Sequence, residues 1–125
     1  MNTNSVKLFS IDIQSLTKKE VLEKITFYID NPGKMRHVAS LNPENLMVAS
    51  SDEEFRLILQ SANIRLNDGV GVVFGAKLKG MNKVYKYTGV DFMEDVLAHV
   101  AVGRLRVLFL GGRGKLAEKL ADCYS

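Results

Sequence analysis

Short apolar segments with the character of β-strands alternate along this chain with segments whose apolar residues recur at helical spacing. Residues 37–41, the segment that starts at Ile64, and residues 106–110 are strand-like. Parallel strands need long crossover connections, and these are usually helices. The alternation therefore predicts an α/β fold of the Rossmann-like kind, with a mostly parallel sheet and flanking helices.

The number of such strands is small for a fold of this kind. Residues 106–110 form a nearly continuous apolar run, which predicts a strand buried on both faces of a sheet. Doubly wound sheets usually contain roughly five or six strands, and fewer candidates occur here. A length of 125 residues suits one domain. We expect residues 1–125 to form a single α/β domain that is incomplete at its C-terminus, or an unusually small version of such a domain.

Local signals predict where the helices begin. Thr17 and Glu20 have the spacing of a capping box, and Asn42 followed by Pro43 is typical of an N-cap and a first helical turn. Acidic residues 52–54 suit the positive end of another helix. The remaining predicted elements are a strand or strand pair in 6–14, helices near 55–62 and 69–79, a helix from about 88 that ends at Gly103, and a last helix after 114.

The charge balance indicates anionic ligands more than nucleic acid. The formal net charge is +3, with 17 basic and 14 acidic residues. This mild excess suits phosphates or a lipid headgroup surface. The chain lacks the alternation of aromatic and basic residues that stacks single-stranded bases, so we expect no nucleic-acid partner.

The cysteine and histidine content predicts neither disulfides nor a metal site. Cys123 is the single cysteine, which favours a reducing compartment, and its apolar neighbours indicate a packing role. His37 and His99 are isolated, and no common zinc-binding pattern occurs, so we expect no bound metal and no cofactor. No signal peptide and no membrane-spanning run is evident, which predicts a cytoplasmic protein or one peripheral to a membrane.

The segment Ile64–Val73 has the strongest features of a functional site. It is predicted to be a strand that ends in a polar turn, at Asp68, and continues directly into a helix. Ligands of open α/β sheets bind beyond the carboxyl ends of the strands, and Gly69 and Gly71 allow a close approach of the backbone. Two interpretations of Asp68 remain open: it caps the following helix, or it does chemistry.

Other polar turns also follow predicted strands, so their residues should share one rim of the sheet with Asp68. They include Ser40 and Asn42, residues 86–91, and residues 111–114. The last of these, Gly-Gly-Arg-Gly, matches neither the dinucleotide fingerprint nor the P-loop. It is either a phosphate cradle at a helix start or a tight strand-to-helix turn.

Four blocks of this sequence resemble the WecG/TagA/CpsF family of glycosyltransferases. They are residues 39–44 (ASLNPE), 66–73 (LNDGVGVV), 88–92 (TGVDF) and 108–112 (LFLGG), in the order and at the spacing that the family has. The resemblance implies transfer of a sugar, such as N-acetylmannosamine or its uronic acid, from a UDP donor to a polyprenyl-diphosphate-linked sugar. It also implies a role in the synthesis of cell-surface polymers and peripheral contact with the inner face of the cell membrane. A homo-oligomer is compatible with the resemblance.

The same resemblance implies roles for individual residues. Asp68 matches the general base that would activate the acceptor hydroxyl in an inverting transfer. Lys86 stands where the family usually has an arginine that contacts the diphosphate, and Arg113 or Lys83 would be substitutes for it. Ser40 stands where the family usually has threonine. The remaining matched residues, expected to bind substrate, are Asn42, Thr88, Gly89, Asp91, Gly111 and Gly112.

Two other functions are compatible with these residues. The first is a non-catalytic remnant or interaction module of the same fold, because family members continue with further strands beyond the part matched here. The second is a nucleotide-binding regulator that would bind UDP without dependence on an acceptor. Saturable UDP binding would distinguish the glycosyltransferase and the nucleotide-binding regulator from the remnant, which would not bind UDP.

Overall fold

The computed structural model describes residues 6–100 and 105–124 and has the α/β architecture that the alternation of segments predicts. Four short strands and six α-helices occur in the described ranges, and a π-helical turn, Val96–Val100, continues the fifth helix. The strands are β1 (Val6–Leu8), β2 (Ile11–Ile13), β3 (Val38–Leu41) and β4 (Ile64–Asn67). The helices are α1 (Lys18–Asp30), α2 (Pro43–Ser51), α3 (Glu53–Ser61), α4 (Val70–Leu78), α5 (Gly89–Asp95) and α6 (Leu116–Tyr124).

Strands β3 and β4 form a parallel pair, as expected for a Rossmann-like sheet. The register runs from Val38 opposite Ile64 to Leu41 opposite Asn67, so both strands end at the same level. The predicted strand pair near the N-terminus is an antiparallel hairpin of β1 and β2. Its turn consists of Phe9 and Ser10, both with positive φ.

The predicted helix starts are confirmed. The hydroxyl of Thr17 accepts from the backbone N–H of Glu20, and the Glu20 side chain accepts from the backbone N–H of Thr17. The side chain of Asn42 caps α2, which has Pro43 in its first turn, and Asp52 caps α3. These caps satisfy N–H groups that have no partner within the helix.

The two faces of the small sheet are covered by separate clusters of buried side chains. Ile64 and Leu66 of β4 pack with Val21 of α1 and with Tyr87 on one face. On the other face, Ala39 and Leu41 of β3 pack against the hairpin and helices α2 to α4. Because side chains alternate along a strand, Arg65 and Asn67 of β4 must lie on this second face.

The guanidinium group of Arg65 connects three elements in the interior. Its Nε donates to the carbonyl of Asp12 in β2, at 2.9 Å, and its Nη1 donates to the carbonyls of Gln60 and Ala62 at the end of α3, at 2.9 and 3.0 Å. Carbonyls at a helix C-terminus have no partner within the helix, and a cation suits them. Burial lowers the pKa of Arg65, and the charge of Asp12 partly opposes this effect.

Tyr87 joins α1 to α5. Its hydroxyl donates to Oδ2 of Asp95 at 2.6 Å, and the ammonium group of Lys18 lies 3.3 Å from the same oxygen. This hydrogen bond from Tyr87, followed by the contribution of Lys18, lowers the pKa of Asp95. The pKa of Tyr87 is raised, first by burial and then by its bond to Asp95.

Two expectations about the C-terminal part are wrong. Residues 105–112 form no strand, and Leu108 and Leu110 are 85% and 93% exposed rather than buried on both faces. An apolar run becomes a buried strand only when a neighbouring strand satisfies its backbone, and β3 and β4 pair with each other but not with this run. Cys123 is likewise exposed and not a packing residue. The predicted helix end at Gly103 lies outside the described residues.

Replacing Arg65 with lysine should destabilise the fold by roughly 2–4 kcal/mol, because a single ammonium group cannot reproduce the forked donors that reach Asp12, Gln60 and Ala62. Urea unfolding measures this free energy. Arg56→Lys is the matched control: among the described residues, the Arg56 side chain forms an ion pair with the exposed Glu53 of α3, so a change below about 0.5 kcal/mol is expected. Equal effects of the two substitutions would contradict the role of Arg65.

Replacing Tyr87 with phenylalanine should lower the midpoint of thermal unfolding by roughly 2–5 °C near neutral pH, because Asp95 loses its hydroxyl donor. The pKa of Asp95 is lowered in the folded state, so its contribution to stability is present above the unfolded pKa and is lost as the pH falls through the folded value. The difference between the two proteins should therefore shrink at acid pH. A difference that is constant between pH 7 and pH 3 would contradict this assignment.

Candidate active site

Asp68 follows the last residue of β4 and is held at the carboxyl end of the sheet. Its backbone N–H donates to the carbonyl of Leu41, the last residue of β3, at 2.8 Å. Ser40, one residue earlier on β3, lies on the same face of the sheet as Leu66. The parallel register therefore brings polar residues from two strands to one end of the sheet.

The carboxylate of Asp68 does not cap α4, the helix that follows it. The N-cap of α4 is Gly69, and no side-chain cap to this helix occurs among the described residues. Oδ2 of Asp68 instead accepts from the backbone N–H of Gly89, the first residue of α5, at 3.2 Å. This contact connects residues 21 positions apart in the sequence. Of the two interpretations of Asp68, capping of the following helix is wrong.

Gly89 is in close contact with the polar residues of the sheet end. A Cβ atom at Gly89 would lie 2.8 Å from Oγ of Ser40 and 3.7 Å from Oδ2 of Asp68. Only a glycine leaves room for these side chains without a shift. Ser40, Asp68 and Gly89 thus form a compact group, which we call the Asp68 cluster. All three residues are partly accessible to solvent.

The first turns of α2 and α4 approach each other beside this cluster. A Cβ atom at Gly71 would lie 3.0 Å from Cγ of Pro43, and Gly69 has a φ of +124° that favours glycine. Asn42 uses its side-chain oxygen to cap α2, accepting from the N–H of Asn45 at 2.7 Å. Asn42 therefore lies next to the cluster, with its oxygen engaged in the helix cap.

Lys86 and Thr88, in the segment before α5, and Asp91, in the first turn of α5, are close to Gly89 in sequence but have different environments. The hydroxyl of Thr88 accepts from the N–H of Asp91 and caps α5, at 3.1 Å. Lys86 and Asp91 are both exposed. The backbone N–H of Tyr87 donates to the carbonyl of Asn67 at 2.9 Å, which fixes this segment against the end of β4.

Sequence reasoning assigned no role to Asn67, which holds the same segment from the interior. Its Nδ2 donates to the carbonyls of Gln14 and Tyr85, at 3.0 and 3.3 Å. Its Oδ1 is buried without a hydrogen-bond partner among the described residues. One signal could have identified it: the alternation of side chains along β4 assigns this position to the interior, where a polar residue is unusual.

The Gly111–Arg113 turn is not brought to the Asp68 cluster in the described structure. Its residues are exposed, and no hydrogen bond between described residues joins the turn to the cluster. Gly111, Gly112 and Gly114 have positive φ, and the carbonyl of Arg113 accepts from the N–H of Leu116 in α6. The geometry is that of a tight turn before a helix, and phosphate binding there stays a prediction.

Residues 6–100 and 105–124 contain neither a metal-binding cluster nor a helix that could span a membrane. No group of three or more His, Cys, Asp or Glu residues in these ranges has the spacing to hold a metal ion. None of the helices within them combines the length and apolar character needed to cross a bilayer.

Comparison with known proteins confirms the resemblance seen in the four sequence blocks. The sequence model of the glycosyl transferase WecG/TagA/CpsF family matches residues 6–125. A protein of Staphylococcus aureus (strain NCTC 8325 / PS 47), named N-acetylglucosaminyldiphosphoundecaprenol N-acetyl-beta-D-mannosaminyltransferase, is 23% identical over 118 residues. Proteins of the same name in strains COL and MRSA252 give the same identity. The aligned region covers 94% of this chain and 46% of each relative, so the chain spans about half the length of the curated relatives it matches.

Replacing Gly89 with alanine should cost about 1–3 kcal/mol of stability, because the added Cβ would overlap the hydroxyl of Ser40. The double variant Ser40→Ala with Gly89→Ala removes that hydroxyl and should recover most of the loss. Urea unfolding of the wild type, both single variants and the double variant gives the coupling energy. Additive effects would show that Ser40 and Gly89 do not share the space assigned to them.

Proposed function

The chain belongs to the WecG/TagA/CpsF family of glycosyltransferases, and on this premise we propose that it moves a sugar from a UDP donor to a polyprenyl-diphosphate-linked sugar. The sugar is N-acetylmannosamine, its uronic acid or a related hexose, and the product enters a cell-surface polysaccharide or teichoic acid. We place the reaction at the cytoplasmic face of the cell membrane. Residues 1–125 would be the N-terminal portion of the family's catalytic domain.

The arrangement of the Asp68 carboxylate is the observation that supports this proposal. Oδ2 accepts from Gly89, which fixes the orientation of the carboxylate, and Oδ1 accepts no hydrogen bond from any described residue. The carboxylate belongs to a cluster, with Ser40 and Gly89, whose residues are all partly accessible to solvent. A positioned carboxylate of this kind suits a general base, which contributes roughly 10²–10⁴-fold to a rate.

The proposed reaction is a single inverting displacement. Asp68 takes the proton of the acceptor hydroxyl while the hydroxyl oxygen forms a bond to the anomeric carbon of the donor sugar. The bond from that carbon to the diphosphate breaks on the opposite face, and its electron pair leaves with UDP. Holding the acceptor against a fixed base supplies the proximity that a weak base such as a carboxylate needs.

Basic residues are proposed to bind the diphosphate. Lys86 is exposed and follows the point where Tyr85 is held by Asn67, so its backbone is fixed while its ammonium group is accessible. A lysine provides a point charge instead of the bidentate fork of an arginine. Arg113 and Lys83 are the other candidates, and the Gly111–Gly112 backbone would lie near the donor. Asn42, Thr88 and Asp91 would line the remainder of the site.

The exposed C-terminal segment favours one alternative function. Leu108 and Leu110 belong to an apolar run without a strand partner, which is a feature of surfaces that bind other chains. A non-catalytic interaction module would keep the fold and lack both transfer and UDP binding. Titration of the 125-residue chain with UDP separates the two functions, since a transferase binds UDP saturably and a module of this kind does not.

Replacing Asp68 with asparagine should abolish sugar transfer to the polyprenyl-diphosphate acceptor, with a loss of roughly 10²–10⁴-fold, because an amide cannot accept the hydroxyl proton. Chromatography of the lipid-linked product measures the rate, and circular dichroism checks that the fold is intact. Glu53→Gln is the control, because Glu53 is an exposed residue of α3. Unchanged turnover in the Asp68→Asn variant would exclude Asp68 from the mechanism.

A further inference from the structure

Helix α4 is almost entirely apolar, although only part of it is buried. Its sequence, VGVVFGAKL, contains one charged residue. Val72 and Ala76 face the core and are 1% and 0% exposed. A helix that is apolar on all sides is normally surrounded by protein or by lipid.

The outer side of α4 carries three large apolar side chains in a row. Val70, Phe74 and Leu78 recur every fourth residue and are 71%, 61% and 73% exposed. Residues at this spacing lie on one side of a helix. We call these three side chains the α4 face. The row begins two residues after Asp68 and ends at the last residue of the helix.

The β1–β2 hairpin packs beside α4 and carries an exposed aromatic ring. Phe9 is 50% exposed and has a φ of +49°, a conformation in which bulky residues are uncommon and which hairpin turns usually fill with asparagine or glycine. The hairpin is fixed to α4 by two contacts. Nζ of Lys79 donates to the carbonyl of Lys7 at 3.0 Å, and a Cβ atom at Gly75 would lie 3.5 Å from the side chain of Leu8.

Helix α4 and the segment that follows it carry charge of one sign. Residues 69–90 contain no aspartate or glutamate. Lys77 lies at the edge of the α4 face, since helical residues advance by about 100° each. The lysines of this range are Lys77, Lys79, Lys83 and Lys86, and all are exposed.

A second copy of the chain is a poor occupant of this surface. A stable protein interface buries roughly 800 Å² on each partner. The α4 face and Phe9 are four side chains that are already partly covered, so they fall well short of that area. Two copies would also bring their lysines together. Anionic lipid headgroups have the complementary charge, and each lysine near such a surface strengthens binding by about fivefold.

We propose that the α4 face, together with Phe9 and Lys77, docks the protein onto an anionic lipid bilayer. The apolar side chains enter the boundary between headgroups and acyl chains, and the lysines contact lipid phosphates. Because α4 begins beside Asp68, this docking would present the Asp68 cluster to a substrate whose lipid tail lies in the same bilayer. That orientation rests on the proposed function, whereas the docking surface itself does not.

Vesicle flotation tests this surface without any sugar donor or acceptor. The 125-residue chain should float with vesicles of phosphatidylcholine and phosphatidylglycerol, and less with phosphatidylcholine alone or at high salt. The double variant Phe74→Glu with Leu78→Glu should lower binding at least about tenfold. Lys77→Glu should lower it about fivefold or more, and Lys77→Arg should restore it. The matched control is Leu57→Glu with Ile58→Glu on α3, at similarly exposed apolar positions.

Several results would overturn the proposal. The first is that the wild-type chain does not float with anionic vesicles. The second is that the control variant loses as much binding as the α4 variant. The third is that sedimentation velocity shows a dimer, and that Phe74→Glu with Leu78→Glu dissociates it. Circular dichroism of each variant checks folding. If the chain floats with vesicles but transfers no sugar, only the proposed function is overturned. If it transfers sugar but does not float, only the docking surface is overturned.

Discussion

The parallel pairing of β3 and β4 is the constraint on which the arrangement of the candidate site depends. Because Leu41 lies opposite Asn67, both strands end at one level, and the next backbone N–H, that of Asp68, donates to the carbonyl of Leu41. A shift of one residue would turn Leu66 and its neighbours toward the opposite face of the sheet. The two buried clusters on the two faces therefore help to fix the position of Asp68, together with its own contacts.

The buried polar residues of β4 connect stability to the site. Arg65 satisfies carbonyls from β2 and the end of α3, and Asn67 holds the segment that leads to Gly89. Both lie on the face covered by the larger buried cluster, where an unpaired polar group is costly. A general base at Asp68 would thus be supported by hydrogen bonds that are formed in the folded chain before any substrate arrives.

Much of the fold could be predicted from local sequence, because caps and strand turns depend on neighbouring residues. Thr17 with Glu20, and Asn42 with Pro43, signal helix starts within a few positions, and the structure confirms both. The contact between Asp68 and Gly89 joins residues that lie far apart in sequence, so periodicity could not predict it. The predicted strand at 106–110 failed for a related reason: its apolar composition does not specify a pairing partner.

The exposed segment that contains Leu108 has a consequence for tolerance to mutation. Both clusters of buried side chains lie within residues 6–92, and the segment after residue 104 contributes none of their members. Its aromatic stacking, between Phe109 and Tyr124, is internal to the segment. Substitutions in this segment leave the two buried clusters of the chain unchanged, whereas substitutions of the cluster residues before position 93 must first be compatible with folding.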